Sequence, residues 1–236
     1  MKRYEKRRLE QDRQIDKLLK TPDGQTHYWN QLKSECQSSS MISLLESTLH
    51  LPGDVIECGV YRGRSVTRIG RTLAEQAAEK KLYACDSFEG FPGEMVGRVD
   101  VGLFRFLSRI RKKFRMCSDT PDRLERFFKT YNIPGETVKG FFHETLPRFQ
   151  KSRFCFIHLD CDIYQSYQQC LDLLYDRLAP GGVVVFDDYD SSKWPGATKA
   201  VDEFCAAQPE NVQCCEERKT SCWYLRKEAS ATQAAA

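Results

Sequence analysis

The sequence lacks several features that would assign a protein to a class directly. No apolar run reaches the length of about 18 residues that a membrane-spanning helix needs, so we expect no span. The N-terminal stretch MKRYEKRRLEQDRQ has no apolar segment, so we expect no secretory signal and a cytoplasmic location. With 41% hydrophobic and 29% charged residues, the composition excludes a disordered chain, a collagen-like repeat and a coiled coil.

Cysteine is abundant, but it does not occur in the pairs that metal sites use. There are 11 cysteines, no C-x-x-C pair, and no histidine after His158. Structural zinc sites have paired ligands at short spacing, so we do not expect zinc. A cytoplasmic location also argues against a disulfide framework.

Positive charge is concentrated in two segments, although the net charge is only +3. Residues 1–20 contain eight basic and four acidic side chains, and residues 97–129 contain ten basic and four acidic ones. Such segments could bind nucleic acid or an anionic lipid surface. Solvated basic helix faces explain the same counts, so we do not expect nucleic acid to be a partner.

From residue 53 onward, short apolar segments alternate with helical patterns. This alternation predicts an α/β fold, in which helices cover both faces of a mostly parallel sheet. Strands are predicted at 55–60, 81–86, 136–142, 153–160 and 183–188, followed by an antiparallel pair at 211–217 and 220–227. The strongest helical pattern is 164–178, and Ala179-Pro180-Gly181-Gly182 is predicted to end it.

The same reading divides the chain into three parts. Residues 1–52 are predicted to be a helical segment with a break at 21–24, and residues 53–227 the main domain, with a basic and apolar insertion at 93–118. Residues 228–236 are predicted to be a disordered tail. The N-terminal helices could pair two chains, so a homo-oligomer is one arrangement that we consider.

Ligands of parallel sheets bind at the carboxyl ends of the strands. At the first such end, Gly59 permits a sharp turn and Gly63 permits close approach to a helix start. This is not the dinucleotide pattern G-x-G-x-x-G. Asp86 ends the second predicted strand, where an acid can accept hydrogen bonds from a ribose. Together they favour an adenosine-type cofactor, although a plain turn with Glu57 paired to a nearby arginine remains an alternative.

Aspartates end the two later apolar strands. Asp160 and Asp162 follow one strand, and Asp187 and Asp188 follow the next, so a right-handed crossover can bring them together. Converging carboxylates repel one another, and oxygen-only ligands select a hard ion such as Mg²⁺ or Mn²⁺. The alternative is that some of these acids are helix caps or surface acids paired with basic residues.

A divalent ion beside an adenosine-type cofactor suggests a reaction. Two vicinal hydroxyls of a substrate could chelate the ion, which would lower the pKa of the reacting hydroxyl. Asp160 could then take the proton as general base, with His143 as a second candidate. For His143 a helix N-terminal position explains the residue equally well. His158 lies inside a predicted strand and is interpreted as a core residue.

Several stretches together resemble the macrocin and mycinamicin sugar O-methyltransferases. These are GDVIECGVYRGRS (53–65), LYACDSFEGFP (82–92), GFFHETLP (140–147), HLDCDIYQSYQQCLDLLYDRLAPGG (158–182), VVVFDDYD (183–190) and ATKAVDEF (197–204). The resemblance implies a Rossmann-like class I methyltransferase whose seven-stranded sheet has an antiparallel last strand. It further implies S-adenosylmethionine, Mg²⁺ and methyl transfer to a hydroxyl of a small molecule with vicinal hydroxyls, such as a sugar or glycosylated metabolite.

The resemblance also implies roles for individual residues. Asp160, Asp187 and Asp188 match the metal-binding aspartates of the family, and Asp160 matches its proposed base. The residues that fall in cofactor-binding stretches are Glu57, Gly59, Tyr61, Gly63, Ser65, Asp86 and Ser87. Cys161 stands where the family usually has glycine. The N-terminal part and residues 93–116 differ from the family, which leaves the acceptor open because lids choose acceptors.

Two other classes of function remain. Tyr189 and Lys193 have the Y-x-x-x-K spacing of short-chain dehydrogenases, but they follow a strand and precede Pro195, so we expect a loop rather than the required helix. A non-catalytic binding protein on the same fold is the other alternative. Acids at four of the predicted strand ends argue against it, because a scaffold gains nothing from clustered repulsion.

Overall fold

The computed structural model describes residues 14–15, 17–36, 39–76, 78–91, 99–100, 119–217 and 220–228. The predicted insertion at 93–118 lies outside them except for residues 99–100, and so does most of the basic segment 1–20. Of the predicted tail, only Glu228 is included. Among the described residues, no helix has both the length and the apolar character needed to cross a membrane.

The described helices and strands alternate in the way the pattern predicts. The helices are α1 (Pro22–Cys36), α2 (Ser40–Glu46), α3 (Arg64–Glu75), α4 (Thr120–Thr130), α5 (Phe142–Thr145), α6 (Tyr164–Leu174) and α7 (Pro195–Cys205). The strands are β1 (Asp54–Cys58), β2 (Leu82–Asp86), β3 (Gly135–Lys139), β4 (Phe154–Leu159), β5 (Leu178–Phe186), β6 (Gln213–Cys215) and β7 (Cys222–Arg226). Short 3₁₀ turns follow α5 and α6, at Leu146–Phe149 and Tyr175–Arg177.

The strands of the described part form one seven-stranded sheet in the order β3-β2-β1-β4-β5-β7-β6. Strands β1 to β5 pair in parallel, and β7 runs antiparallel to both β5 and β6. The predicted α/β class and the antiparallel strand near the end of the chain are confirmed. The strand order reverses between β1 and β4, and this is the point where open sheets of this type form a ligand crevice.

Burial explains why the central strands are so apolar. All six residues of β4 are buried, because helices cover both faces of the sheet. One hydrophobic cluster includes Phe156 and Val185 on one face, and the other includes Ile157 and Val184 on the opposite face. The alternation along each strand therefore decides which helices a side chain meets.

The described part of the N-terminal segment shares this core. Helix α1 packs against α3, and Trp29 is buried with its ring centroid 5.3 Å from that of Phe127 in α4. The predicted break at 21–24 is only partly right, because the non-helical residues are 19–21 and α1 already begins at Pro22. Proline suits the first turn of a helix, and the Thr21 hydroxyl accepts a hydrogen bond from the Gly24 N–H at 3.1 Å.

The predicted stop at 179–182 is also wrong in detail. The helix ends before it, at Leu174, and β5 already begins at Leu178. The β4–β5 ladder shifts register between Phe154 and Phe156. A register shift accommodates Pro180, which has no N–H to donate, within a strand that continues into the apolar run.

Candidate functional site

Three aspartates meet where β4 and β5 end. One carboxylate oxygen each from Asp160, Asp187 and Asp188 lies within 4.8 Å of the other two. Asp188 is buried, Asp160 is half-buried and Asp187 is exposed, so the group opens to solvent on one side. The prediction that the β4 and β5 ends come together is confirmed at the level of geometry. We call these three residues the aspartate cluster.

Asp188 is held from two directions. The hydroxyl of Tyr167, on α6, donates to Asp188 Oδ2 at 3.2 Å and also lies 2.9 Å from the carbonyl oxygen of Leu159. The backbone N–H of Asp162 donates to the same carboxylate oxygen at 3.0 Å. Asp162 has φ +63°, a left-handed conformation that turns the chain from β4 toward α6. Asp162 therefore orients the cluster through its backbone.

Burial and mutual repulsion shift the pKa values of the cluster. Burial, followed by the negative charges of Asp187 and Asp188, raises the pKa of Asp160 well above its usual range. Burial and the charge of Asp187 raise the pKa of Asp188 to about 6. The direction of these shifts indicates electrostatic repulsion among the carboxylates, which lowers the stability of the folded protein. A bound cation would relieve this repulsion.

His158 lies beneath the cluster and faces two carboxylates. Its Nδ1 is 3.4 Å from Glu57 Oε2, and its Nε2 is 3.9 Å from Asp187 Oδ1. Burial opposes protonation, but the two carboxylates outweigh it and raise the pKa of His158 to about 10. At Asp187 partial desolvation favours the neutral acid, but the side chain is still 58% exposed, and the imidazole of His158 outweighs this and lowers the pKa. The residue is buried as expected, but it is not an ordinary core side chain.

The donor set of the aspartate cluster fits a hard divalent cation. Three carboxylates from two adjacent loops converge without sulfur, which suits Mg²⁺ or Mn²⁺. Among the described residues this is the one group of three such ligands that converges.

The glycine turn after β1 meets the aspartate cluster through the backbone. Gly59 has φ +95°, and a β-carbon there would lie 1.9 Å from the carbonyl oxygen of Asp160. The Asp160 N–H donates to the carbonyl of Cys58 at 2.9 Å. Gly63 has φ +79° and precedes α3, with Leu124 packed beside it. Gly59 makes the sharp turn that the sequence predicts, whereas Gly63 is required by its left-handed backbone, and close approach of a ligand to it stays a prediction.

Asp86 holds the glycine turn in place. Its Oδ2 accepts hydrogen bonds from the N–H groups of Val60 and Tyr61 at 2.8 and 2.9 Å, and its Oδ1 accepts one from Phe88 at 2.7 Å. Ser87 closes the next turn, because its hydroxyl donates to the Gly90 carbonyl at 2.7 Å. The carboxylate thus joins the ends of β1 and β2, an arrangement that sequence spacing alone does not reveal.

Glu57 is fully buried behind the same turn. Its Oε1 accepts a hydrogen bond of 2.5 Å from the hydroxyl of Ser65 in the first turn of α3. Its Oε2 faces His158 instead. The predicted cofactor residues Glu57 and Ser65 therefore contact each other beneath the turn. Tyr61 adopts φ +49° above it, with the Arg62 guanidinium 5.2 Å from the centre of its ring.

The structure does not bring His143 to the aspartate cluster. His143 is exposed in α5, after β3, where it pairs with Glu144 at 3.8 Å. Two strands lie between β3 and β4, so at about 4.8 Å per strand the two strand ends are about 14 Å apart. Of the two candidate bases, only Asp160 belongs to the aspartate cluster.

The Y-x-x-x-K match lies in a loop, as predicted. Residues 189–193 precede α7 and are not helical. The Tyr189 hydroxyl donates to Asp202 at 2.7 Å, and the Lys193 ammonium lies over the ring of Trp194. The two side chains thus have different partners, and the short-chain dehydrogenase arrangement is absent at these residues.

Sequence reasoning missed two side chains of the site, Tyr167 and His158. Tyr167 occurs in an amphipathic helix, where its spacing indicates only a buried face. His158 interrupts an apolar strand, and a polar residue in such a strand is the one signal that could have prompted a search for partners.

Comparison with known proteins agrees with this architecture. The family model described as Macrocin-O-methyltransferase (TylF) matches residues 41–226. The Streptomyces olivaceus enzyme named 8-demethyl-8-(2,3-dimethoxy-alpha-L-rhamnosyl)-tetracenomycin-C 4'-O-methyltransferase is 33% identical over 143 residues. These are 59% of this chain and 54% of that protein. Mycinamicin III 3''-O-methyltransferase of Micromonospora griseorubida is 29% identical over 173 residues, 68% of this chain and 64% of that protein.

The solved structures agree on the fold. The O-methyltransferase NovP superimposes with a TM-score of 0.65 and 24% identity, covering 80% of this chain and 78% of that one. The matches to the curated relatives span less than two thirds of the length of each. With its Rossmann-like sheet and a family match that includes the glycine turn and the aspartate cluster, the chain belongs to the macrocin O-methyltransferase family.

Proposed function

We propose that this protein is a Mg²⁺-dependent O-methyltransferase that transfers the methyl group of S-adenosylmethionine to a hydroxyl of a sugar or another small molecule with vicinal hydroxyls. The observation that carries the proposal is the junction between Gly59 and Asp160. It supports a cofactor turn and a group of cation ligands on the two sides of one crevice.

The cofactor would lie over the turn after β1. Asp86 holds three backbone N–H groups of this region and keeps the ends of β1 and β2 in register. Gly59 and Gly63 supply the left-handed backbone that this turn requires, and the absence of a β-carbon at Gly59 lets the turn pack against the backbone of Asp160. Tyr61 is half-buried in this turn. Ser87 shapes the adjoining turn through its hydrogen bond to the Gly90 carbonyl.

Asp160, Asp187 and Asp188 would hold the divalent ion. When bound, such an ion supplies orientation of two vicinal hydroxyls and a lower pKa for the reacting one. The Tyr167 hydroxyl and the Asp162 N–H keep Asp188 directed into the cluster. Asp160 belongs to the cluster, so it would adjoin a hydroxyl bound at the ion, and this placement makes it the candidate base.

The protein's remaining task in methyl transfer is alignment. The acceptor oxygen forms a bond to the methyl carbon while the carbon–sulfur bond breaks, and the sulfur keeps the electron pair as a neutral thioether. The hydroxyl proton passes to the Asp160 carboxylate. Holding oxygen, carbon and sulfur in line supplies much of the acceleration, because the sulfonium is already a good leaving group. His143 would have to act from another strand end, so we assign the base to Asp160.

The acceptor class is argued from chemistry and from similarity. Hard-cation ligands suit chelation by two adjacent hydroxyls, which sugars provide. The name of the tetracenomycin relative describes methylation of a compound that carries a rhamnosyl group. We therefore propose a sugar or glycosylated metabolite as acceptor.

Substitution of the aspartate cluster tests the proposal. Asp160→Ala and Asp187→Ala should abolish methyl transfer to a panel of rhamnosides and other vicinal diols, while circular dichroism remains that of the wild type. EDTA should abolish transfer, and added Mg²⁺ should restore it. Asp172→Ala, at an exposed acid on α6, is the matched control and should retain activity.

The EDTA assay and two binding measurements separate the alternatives. Full activity in EDTA would contradict the metal mechanism. Thermal stabilisation by NADH and not by S-adenosylhomocysteine would favour an oxidoreductase. Binding of S-adenosylhomocysteine without methyl transfer to any diol, together with salt-dependent binding to RNA or anionic vesicles, would favour a non-catalytic binding protein.

A further inference from the structure

The position of His158 in the sheet brings it between two parts of the proposed site. Within the β1–β4 ladder its Cα partner is Glu57, and within the β4–β5 ladder it is Val185. Partners in adjacent parallel strands point to the same face, and residues two apart along a strand do so as well. Glu57, His158 and Asp187 therefore approach one another on the face that α3 covers.

Glu57 and His158 are buried, so their polar atoms depend on contacts within the protein. The side chain of His158 is 2% exposed and that of Glu57 is 0% exposed. Ser65 occupies Glu57 Oε1, whereas Glu57 Oε2 and both ring nitrogens of His158 have no hydrogen-bond partner among the described residues. Burying polar atoms without hydrogen bonds costs stability. The electrostatic attraction of the two facing carboxylates offsets this cost for the imidazole.

We propose that His158 is a positioning residue with two separate tasks, in which Nδ1 holds Glu57 beneath the cofactor turn and Nε2 holds Asp187 in the aspartate cluster. The inference rests on the proposed function, because it takes the turn as the cofactor site and the cluster as the metal site. It assigns no proton transfer to His158, which touches neither crevice surface. His158 acts by fixing the positions of the Glu57 and Asp187 carboxylates.

Two neutral amides can separate the two contacts. The amide nitrogen of asparagine reaches about as far as Nδ1 of histidine, and that of glutamine reaches about as far as Nε2, and each can donate to a carboxylate. His158→Asn should therefore keep the contact to Glu57 and lose the contact to Asp187, and His158→Gln should do the reverse. Both variants change the charge equally, so the comparison between them isolates the contacts.

The test is isothermal titration of the full-length protein with Mg²⁺ alone and with S-adenosylhomocysteine alone. His158→Asn should bind Mg²⁺ about 10-fold more weakly than His158→Gln, as is typical when a residue that orients a metal ligand is lost. His158→Gln should bind S-adenosylhomocysteine more weakly than His158→Asn. His50→Gln, at an exposed histidine, should match the wild type in both affinities.

The outcomes are distinguishable. If both affinities fall together in both variants, or if neither changes, His158 is only a structural residue and the inference is overturned. If the wild type binds neither ligand, the proposed function fails first and the inference fails with it.

A second measurement avoids substitution at position 158. In the wild type labelled with ¹⁵N-histidine, Mg²⁺ should shift the Nε2 resonance of His158 more than its Nδ1 resonance, and S-adenosylhomocysteine should do the opposite. His158 is the one buried histidine of four, so substitution of the three exposed ones assigns its signals. Equal shifts of both nitrogens with both ligands would contradict the proposal.

Discussion

The α-carbon of Gly59 packs directly against the backbone of Asp160, with space for a hydrogen but not for a side chain. A β-carbon at position 59 would come within 1.9 Å of the Asp160 carbonyl oxygen. Gly59 directly follows β1 and Asp160 directly follows β4, and these are the neighbouring strands between which the strand order reverses. Their contact therefore sets the distance between the proposed cofactor turn and the aspartate cluster.

Gly59→Ala should disrupt this junction. The variant combines a left-handed backbone, φ +95°, with a collision against main-chain atoms that cannot rotate away. We expect a loss of unfolding free energy greater than the roughly 1–2 kcal/mol that a left-handed alanine costs alone, and loss of S-adenosylhomocysteine binding. Chemical denaturation and calorimetric titration measure the two effects.

Gly181→Ala is the matched control for strain alone. Gly181 has φ +81°, but a β-carbon there would meet only the Leu51 side chain, at 3.5 Å. It should lose about 1–2 kcal/mol and bind S-adenosylhomocysteine as the wild type does. Equal behaviour of the two variants would show that the contact with Asp160 has no special role.

Asp86→Asn tests how the glycine turn is held. An asparagine offers one acceptor oxygen, whereas Asp86 uses both oxygens for the N–H groups of Val60, Tyr61 and Phe88. At least one N–H loses its charge-assisted bond, which should cost about 1.5–3 kcal/mol and weaken S-adenosylhomocysteine binding.

Asp54→Asn provides the comparison at the opposite end of β1. Asp54 Oδ1 accepts from the Lys81 N–H at 3.0 Å, and an asparagine oxygen can keep that bond. This variant should change neither stability nor cofactor affinity appreciably. If Asp86→Asn behaves like Asp54→Asn, the carboxylate does not organise the turn.

Tyr167→Phe should weaken Mg²⁺ binding by the aspartate cluster, because it removes a hydrogen bond that orients Asp188. The substitution removes the hydroxyl that lies 3.2 Å from Asp188 Oδ2 and 2.9 Å from the Leu159 carbonyl oxygen, and leaves these acceptors buried. We expect a loss of about 1–3 kcal/mol of stability and about a 10-fold lower Mg²⁺ affinity, measured by denaturation and titration.

Tyr224→Phe removes a comparable hydrogen bond away from the cluster. The Tyr224 hydroxyl donates to Gln213 at 2.6 Å between the edge strands, where water can replace it. Stability should change little and Mg²⁺ affinity not at all. An unchanged Mg²⁺ affinity in Tyr167→Phe would mean that Asp188 does not depend on the hydroxyl for its orientation.

The sequence predicts those parts of the site whose positions follow from the order of strands and helices. The alternation of strands and helices placed Asp160 and Asp187 at strand ends, and the right-handed crossover rule predicted that they would meet. Gly59 was predicted from its position after a strand. These inferences work because periodicity and the handedness of connections determine which strand ends face the same edge of the sheet.

What the sequence does not predict depends on partners far apart in the chain. The apolar segment FCFIHL predicts a core residue at His158, and nothing in it indicates that Glu57 and Asp187 will face the side chain. Asp86 was expected to face a ribose, and its bonds to the turn after β1 depend on the register of two strands. Pairings of this kind follow from the register, which an apolar pattern only partly specifies.

The aspartate cluster predicts a definite pH dependence for the metal-free protein. Burial and the neighbouring carboxylates raise the pKa of Asp188 from 3.8 to about 6 and raise the pKa of Asp160 well above its usual range, so the folded state binds more protons than the unfolded state in this range. Their stabilising effect is complete below about pH 4 and is lost as the pH rises through 6. His158 acts in the same direction above pH 6.5, because its pKa is raised to about 10. Asp187, whose pKa is lowered, stays ionised throughout.

In EDTA, the free energy of unfolding should therefore fall between pH 5 and pH 8. Added Mg²⁺ should stabilise the protein more at pH 8 than at pH 5, because protons compete with the cation for the same oxygens. Asp188→Asn should flatten the pH dependence in EDTA, whereas Asp172→Asn, at an exposed position, should leave it unchanged. Urea titrations at four pH values measure each curve. Equal slopes for the wild type and Asp188→Asn would mean that the carboxylates of the cluster do not repel one another in the folded protein, which would remove the electrostatic argument for a bound cation.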